Sequence, residues 1–218
     1  MPQLDYDPTW TLQRAKAFYF AANNFGEDGG YSDAWVDFML GPIPFPFPNT
    51  QGRVRALAVH DLHHIVTGYQ TDLRGELEIS AWELGAGCKD FYAAWFLNLA
   101  GLAGGLFLAP IRVFRAFVRG VNSHSLYGED VSALLAKTVG ETKAELKTDA
   151  PPASPRAVDV ARFAGFGAAG LVCMTAFMGM GVVLAPIGLA VSFWRRKKAP
   201  AESESSRVAA QSQPSRAL

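Results

Sequence analysis

Phe163 to Trp194 is a run of 32 residues without a charged side chain, and no other feature restricts the fold of this chain more. A single tilted membrane helix needs roughly 20–25 residues and two spans need about 40, so the run is long for one pass and short for two. Gly179, Gly181 and Pro186 offer a place to break it into a re-entrant hairpin. Arg195, Arg196, Lys197 and Lys198 follow directly and are expected to stay cytoplasmic. A hairpin would keep that basic cluster and the preceding domain on one side, whereas a single pass would separate them. The tail 195–218 carries six Lys/Arg against two Glu and is expected to be disordered; its positive charge leaves residues 1–194 at −4 in a chain of zero net charge. A basic segment beside an apolar run points to a membrane surface and away from nucleic acid.

The remaining length suits one good-sized domain, and half of the 218 residues are apolar, enough for a sizeable core. Cys88 and Cys173 have no C-x-x-C spacing, and Cys173 lies inside the apolar run, so no disulfide framework is expected. Residues 1–8 show no basic stretch followed by an apolar one, and the domain is expected to begin where the chain begins.

Apolar periodicity predicts a helix over 9–25 capped by Thr9, with Trp10, Leu12, Ala15, Phe18, Tyr19 and Ala22 on one face. A shorter amphipathic helix is expected over 32–40, presenting Trp35, Phe38 and Met39 to the core. Proline at 42, 44, 46 and 48 then forbids any helix and predicts an extended strap, with Phe45 and Phe47 packed inward rather than offered as a polyproline ligand. Asn49 or Thr50 caps a helix over 51–67 that ends at Gly68, and a further helix runs from Thr71 or Asp72 to Leu84.

From Phe91 to Ile111 another 21 residues lack charge. Asn98, Gly101, Gly104 and Gly105 dilute this stretch, which favours a central core helix over a membrane span. A helix is expected over 131–148, with alternating charges on its exposed face. The resulting plan is all-α: a compact multi-helix domain at 1–150, a linker at 151–162, a transmembrane or re-entrant segment at 163–194 and the basic tail. Deleting 151–218 is expected to leave the domain folded.

The chemistry lies in His60-Asp61-Leu62-His63-His64. Residues four apart sit one above the other on a helix, so His60 and His64 can share a metal, and Glu76 from the next helix supplies a third donor. At about 100° per residue, His60, Asp61 and His64 border the buried face while His63 looks outward. Glu76, Ser80 and Glu83 share one face of their helix, and Glu78 lies opposite. Asp61 and Glu83 are each a further ligand or a group that orients a ligand histidine. The competing reading is a buried polar cluster pairing imidazoles with carboxylates. The likeness to the zinc-protease pattern H-E-x-x-H is one of spacing alone, because Asp61 stands where the catalytic glutamate would be.

His60-Asp61-x-x-His64, eleven residues, then Glu76 resembles the H-D-x-x-H-x11-E signature of the coenzyme Q (ubiquinone) biosynthesis protein 4 family, bacterial type. The resemblance extends to Phe47 through Thr50, Thr67 through Tyr69, Gly75, Glu76 and Glu78, and Ala81 through Glu83, and spans about residues 8–148. It implies an all-helical domain with a divalent metal at His60, Asp61, His64 and Glu76, zinc first and iron or magnesium next. Asp61 and Glu76 are then the groups expected to act in catalysis. It further implies a prenylated quinone precursor or other isoprenoid lipid held between helices, and an oxidative decarboxylation at ring carbon one. The alternative is a non-catalytic lipid-binding scaffold that organises other quinone-biosynthesis enzymes; a homo-oligomer is compatible with either. The location implied is a bacterial cytoplasmic membrane with the helical domain on its cytoplasmic side.

Overall fold

Thr11 rather than Thr9 begins the first helix in the computed structural model, which describes residues 4–40, 43–151 and 153–198, with backbone alone at 37–40, 43–47, 188, 191, 192 and 195–198. Helix α1 spans Leu12–Asn23, and the Thr11 hydroxyl accepts from Arg14 N–H. The Thr9 hydroxyl is instead bonded to Asp7. The shift has a tertiary cause: Leu12 N–H donates to the Lys137 carbonyl (2.8 Å) and Val139 N–H to the Trp10 carbonyl (2.9 Å), which holds residues 10–12 extended. The same pairing splits the single helix expected over 131–148 into α6 (Val131–Ala136) and α7 (Val139–Leu146). Thr138 sits at the break and forms a capping box with Glu141.

The helix expected over 32–40 does not form. Trp35–Leu40 is strand β1, paired with β2, Ile43–Pro48. Alternate residues of a strand direct their main-chain groups to the same edge, so prolines at 44, 46 and 48 leave one edge of β2 able to pair and block the other. An extended neighbour thus recruits the aromatic and β-branched residues of Trp35–Leu40 into a ladder. Trp35 is exposed and not in the core. The side chains of Phe38, Met39, Phe45 and Phe47 lie outside the described residues.

Helix α2 (Gln51–Thr67) has the expected ends, Thr50 accepting from Arg53 N–H and Gly68 at φ 78° donating to the His64 carbonyl. Every residue from Asp61 to Thr67 is buried, so this part of α2 has no solvent side. Helix α3 (Leu73–Ala86) starts at Asp72, whose carboxylate accepts from Gly75 N–H at 2.7 Å. α4 (Tyr92–Leu108) and α5 (Pro110–Val121) pack against α3. The contacts are close: a Cβ on Gly120 would strike the Trp82 carbonyl, one on Gly85 the Phe117 carbonyl, and one on Gly101 the Ser80 side chain. Ala94, Asn98, Leu102, Ala103 and Gly105 of α4 are buried, as a core helix requires, while Tyr92, Phe107 and Leu108 at its ends are exposed.

The last helix, α8, spans Ala157–Lys198 and begins inside the stretch expected to be linker. Its backbone is helical through Gly179, Gly181 and Pro186, so the hairpin break does not occur. Ala157–Ile187, with mean hydropathy 2.0 over its most apolar window, is long and apolar enough to cross a membrane. The described residues divide into a body of 4–36, 48–151 and 153–179 and a second unit drawn from 37–40, 43–47 and 180–198. Within the body, Phe163 meets Phe114 and Phe117, and Phe166 meets Trp95 and Phe117, ring centroids 5.1–5.8 Å apart. Gly170 passes so near the Leu99 carbonyl that a side chain would not fit. The first half of α8 is therefore a packed element of the body.

Candidate metal centre

One turn of α2 separates His60 from His64, and it brings their Nε2 atoms to 3.1 Å. Glu76, on the first turn of α3, reaches back between them, with Oε2 3.4 Å from His60 Nε2 and Oε1 3.3 Å from His64 Nε2. The histidines are buried to different depths, 18% and 1% exposed at the side chain, whereas Glu76 is 42% exposed and marks the open side of the cluster. Asp72 caps α3 and fixes the turn on which Glu76 lies.

The other ring nitrogens are pinned. His60 Nδ1 lies 2.9 Å from Glu83 Oε1, and His64 Nδ1 lies 2.9 Å from the Tyr69 carbonyl. A carboxylate and a carbonyl only accept, so each Nδ1 carries the proton and each neutral imidazole aims an Nε2 lone pair at the other. Two lone pairs 3.1 Å apart repel unless a cation lies between them or one ring takes a second proton. Donors held about 2.0–2.1 Å from a common tetrahedral centre are themselves about 3.3 Å apart. The two Nε2 atoms meet that condition, each has one Glu76 oxygen at a similar distance, and one donor atom from each of the three residues lies within 4.8 Å of the others, so this trio could hold a divalent ion.

Asp61 is turned elsewhere. Its oxygens accept from the hydroxyls of Tyr31 at 2.5 Å and Tyr19 at 3.4 Å, and the Tyr19 ring stacks on His64 with centroids 5.7 Å apart. Asp61 thus holds two tyrosine hydroxyls, one of them on the ring that stacks on His64, and it does not share the convergence of His60, His64 and Glu76. A water-sized cavity of about 10 Å³ lies beside His64, bounded by Tyr19, Asn23, Tyr69 and Gln70.

His63 corrects the helical wheel. It is wholly buried, its Nδ1 2.7 Å from Glu83 Oε1 and its Nε2 accepting from Leu126 N–H at 2.9 Å. Glu83 itself is wholly buried and receives two more donors on Oε2, Asn98 Nδ2 at 2.5 Å and the Tyr127 hydroxyl at 2.7 Å. Glu83 thus lies against the Nδ1 side of His60, away from the three donor atoms that converge. Asn98 has a visible sign in the sequence, as the polar interruption of an apolar helix. Tyr127, Tyr19, Tyr31 and the Tyr69 carbonyl have none.

Burial alone would raise both glutamates and depress His60. For Glu83 and Glu76 the neighbouring imidazoles outweigh it and hold the carboxyls well below the usual range. For His60 the two glutamates outweigh it and raise the ring well above 6.5. His63 goes the other way, pushed down by burial in spite of Glu83. Burial also raises Asp61, although Tyr31 opposes the shift.

Compared with known protein families, with curated proteins and with solved structures, the chain has no match.

Proposed function

We propose that the chain is a membrane-attached, metal-dependent protein of ubiquinone or related prenyl-quinone formation, acting on a prenylated aromatic ring precursor at the His60, His64, Glu76 cluster. The observation that carries the reading is the convergence of those three donors with both Nδ1 positions already occupied. A bound divalent metal supplies Lewis-acid polarisation of a ring oxygen or carboxylate, zinc being the first candidate by donor type. His60 and His64 bind it through Nε2. Glu76 completes the donor set from the open side, where it also meets the substrate. Asp61 holds the hydroxyls of Tyr19 and Tyr31, and Tyr19 in turn stacks on His64 and steadies that ligand. The reaction proposed is an oxidative decarboxylation of that ring: the carboxyl leaves as carbon dioxide, water supplies the hydroxyl that replaces it, and the two electrons and two protons released pass to dioxygen, which is reduced to hydrogen peroxide.

A helix able to cross a membrane supports the substrate class, since a ring with a long apolar tail partitions into the bilayer. We place residues 4–151 on the cytoplasmic face of a bacterial inner membrane; full protection of those residues from protease added to the cytoplasmic side would refute that placement. The test of function is complementation in a strain whose quinone synthesis depends on this gene. His64→Ala is expected to lose bound metal and quinone together. Full metal content and full synthesis in that variant would end the proposal.

One observation favours a second, non-catalytic reading. Glu83 joins α2, α3, α4 and the segment before α6 through four donors, so a metal on His60 would also brace the fold. The protein would then hold prenylated precursors for other enzymes, and conversion of a precursor by the purified protein alone would exclude this reading.

A further inference from the structure

Glu83 is the least accessible acid of the cluster and touches none of its open side. Its four donors are two imidazoles, an amide and a phenol. A fully bonded carboxylate in a closed site is an anion that needs a counter-charge nearby, because water is not there to screen it. The chain of contacts shows where that charge belongs. Leu126 N–H donates to His63 Nε2, so the His63 proton sits on Nδ1 and is given to Glu83 Oε1. Oε1 is thereby fixed from the main chain, independently of His60. The same oxygen then takes the His60 Nδ1 proton at 2.9 Å, leaving Nε2 as the donor atom toward His64 and Glu76.

We propose that Glu83 is a positioning residue of the metal centre. Through His60 it fixes the ring tautomer and plane, and it supplies the second negative charge that, with Glu76, neutralises a divalent ion held by two uncharged histidines. Carboxylate partners of ligand imidazoles act in this way in metal sites generally. The inference rests on the metal reading above, but it concerns a residue outside the H-D-x-x-H-x11-E pattern.

The test uses the full-length protein. Zinc affinity is read by competition with a chromogenic chelator, and the donor set by the visible spectrum of the cobalt(II)-substituted protein. Glu83→Gln is expected to weaken zinc binding about 10- to 100-fold while the cobalt bands keep their positions. Glu76→Gln, which removes a donor, is expected to move the bands. Tyr127→Phe removes a donor from Oε2 only and is expected to change affinity by less than about threefold. Zinc affinity of Glu83→Gln within about threefold of the parent overturns the proposal and leaves the metal reading standing. Should that variant not fold, nitrogen-15 spectra of the zinc-loaded parent decide: a proton on His60 Nδ1 and metal on Nε2 support it, and the reverse overturns it. A parent protein that binds neither zinc nor cobalt overturns the metal reading as well.

Discussion

His63 Nδ1 stands 2.7 Å from Glu83 Oε1, and neither side chain has any exposed surface. Removing the imidazole would deprive Glu83 of one donor and leave Leu126 N–H without its acceptor. Each orphaned buried group is costly, so His63→Leu is expected to lower stability by about 2–4 kcal/mol. Urea denaturation measures this, and a loss below 1 kcal/mol would mean that the network repairs itself.

Zinc should stabilise the fold in proportion to its binding. At a free concentration 100 times Kd the gain is about 2.7 kcal/mol, seen as a rise in Tm that a chelator reverses. His64→Ala, which removes one of the three converging donors, is expected to abolish the response. An equal rise in that variant would assign the zinc to another site.

The metal-free protein should be most stable near pH 6.5. His60 is raised above its ordinary 6.5, so its contribution is fully present below that value and is lost as pH rises through the raised pKa. His63 is depressed, so its contribution is present above 6.5 and is lost as pH falls. Glu76 and Glu83, both lowered from 4.5, contribute stability that is fully present above that value and is lost only as pH falls below it. Tm of the metal-free protein is therefore expected to decline as pH rises above 6.5. Saturating zinc, by taking the place of the extra proton on His60, should flatten that decline.

The α3 and α5 backbones meet at Gly85 and Gly120, where the Phe117 and Trp82 carbonyls occupy the space of a side chain. Either glycine changed to alanine forces the helices apart, at a cost of about 1–3 kcal/mol or more. Gly52→Ala, where nothing lies within 4 Å, is the control and should be neutral or slightly stabilising. Thermal melts of the three variants suffice.

Phe163 and Phe166 pack on Phe117, which is wholly buried. A chain ended after Pro151 uncovers that face and is expected to melt at lower temperature, with loss of cooperativity. A chain ended after Gly179 keeps these contacts and should retain the body's stability. Equal melting of both would restore the independent domain that composition alone suggests.

Much of the site was legible before the fold was known, because it depends on short-range geometry. A four-residue spacing places His60 above His64 in any helix, and Thr50, Gly68 and Asp72 announce the ends of α2 and the start of α3 through capping chemistry local to each. The wheel misplaced His63 for a physical reason: it assumes one solvent face, and α2 loses that face where Trp82, Leu126 and Tyr127 close over it. Those partners lie 19, 63 and 64 residues further along the chain, beyond the reach of any periodicity. The same holds for the breaks at Thr11 and Thr138, set by main-chain pairing between segments more than 120 residues apart.

By itself the sequence determined a helical chain, a pair of histidines one turn apart with a glutamate to meet them, and one segment apolar enough for a bilayer. Tertiary structure decided which ring nitrogens face inward, that Asp61 serves two tyrosines, that Glu83 stands behind His60, and that Trp35–Leu40 is a strand beside a proline-blocked partner. Helix spacing and capping are settled within about four residues. Tautomers, burial and strand pairing are settled by whatever the folded chain brings alongside.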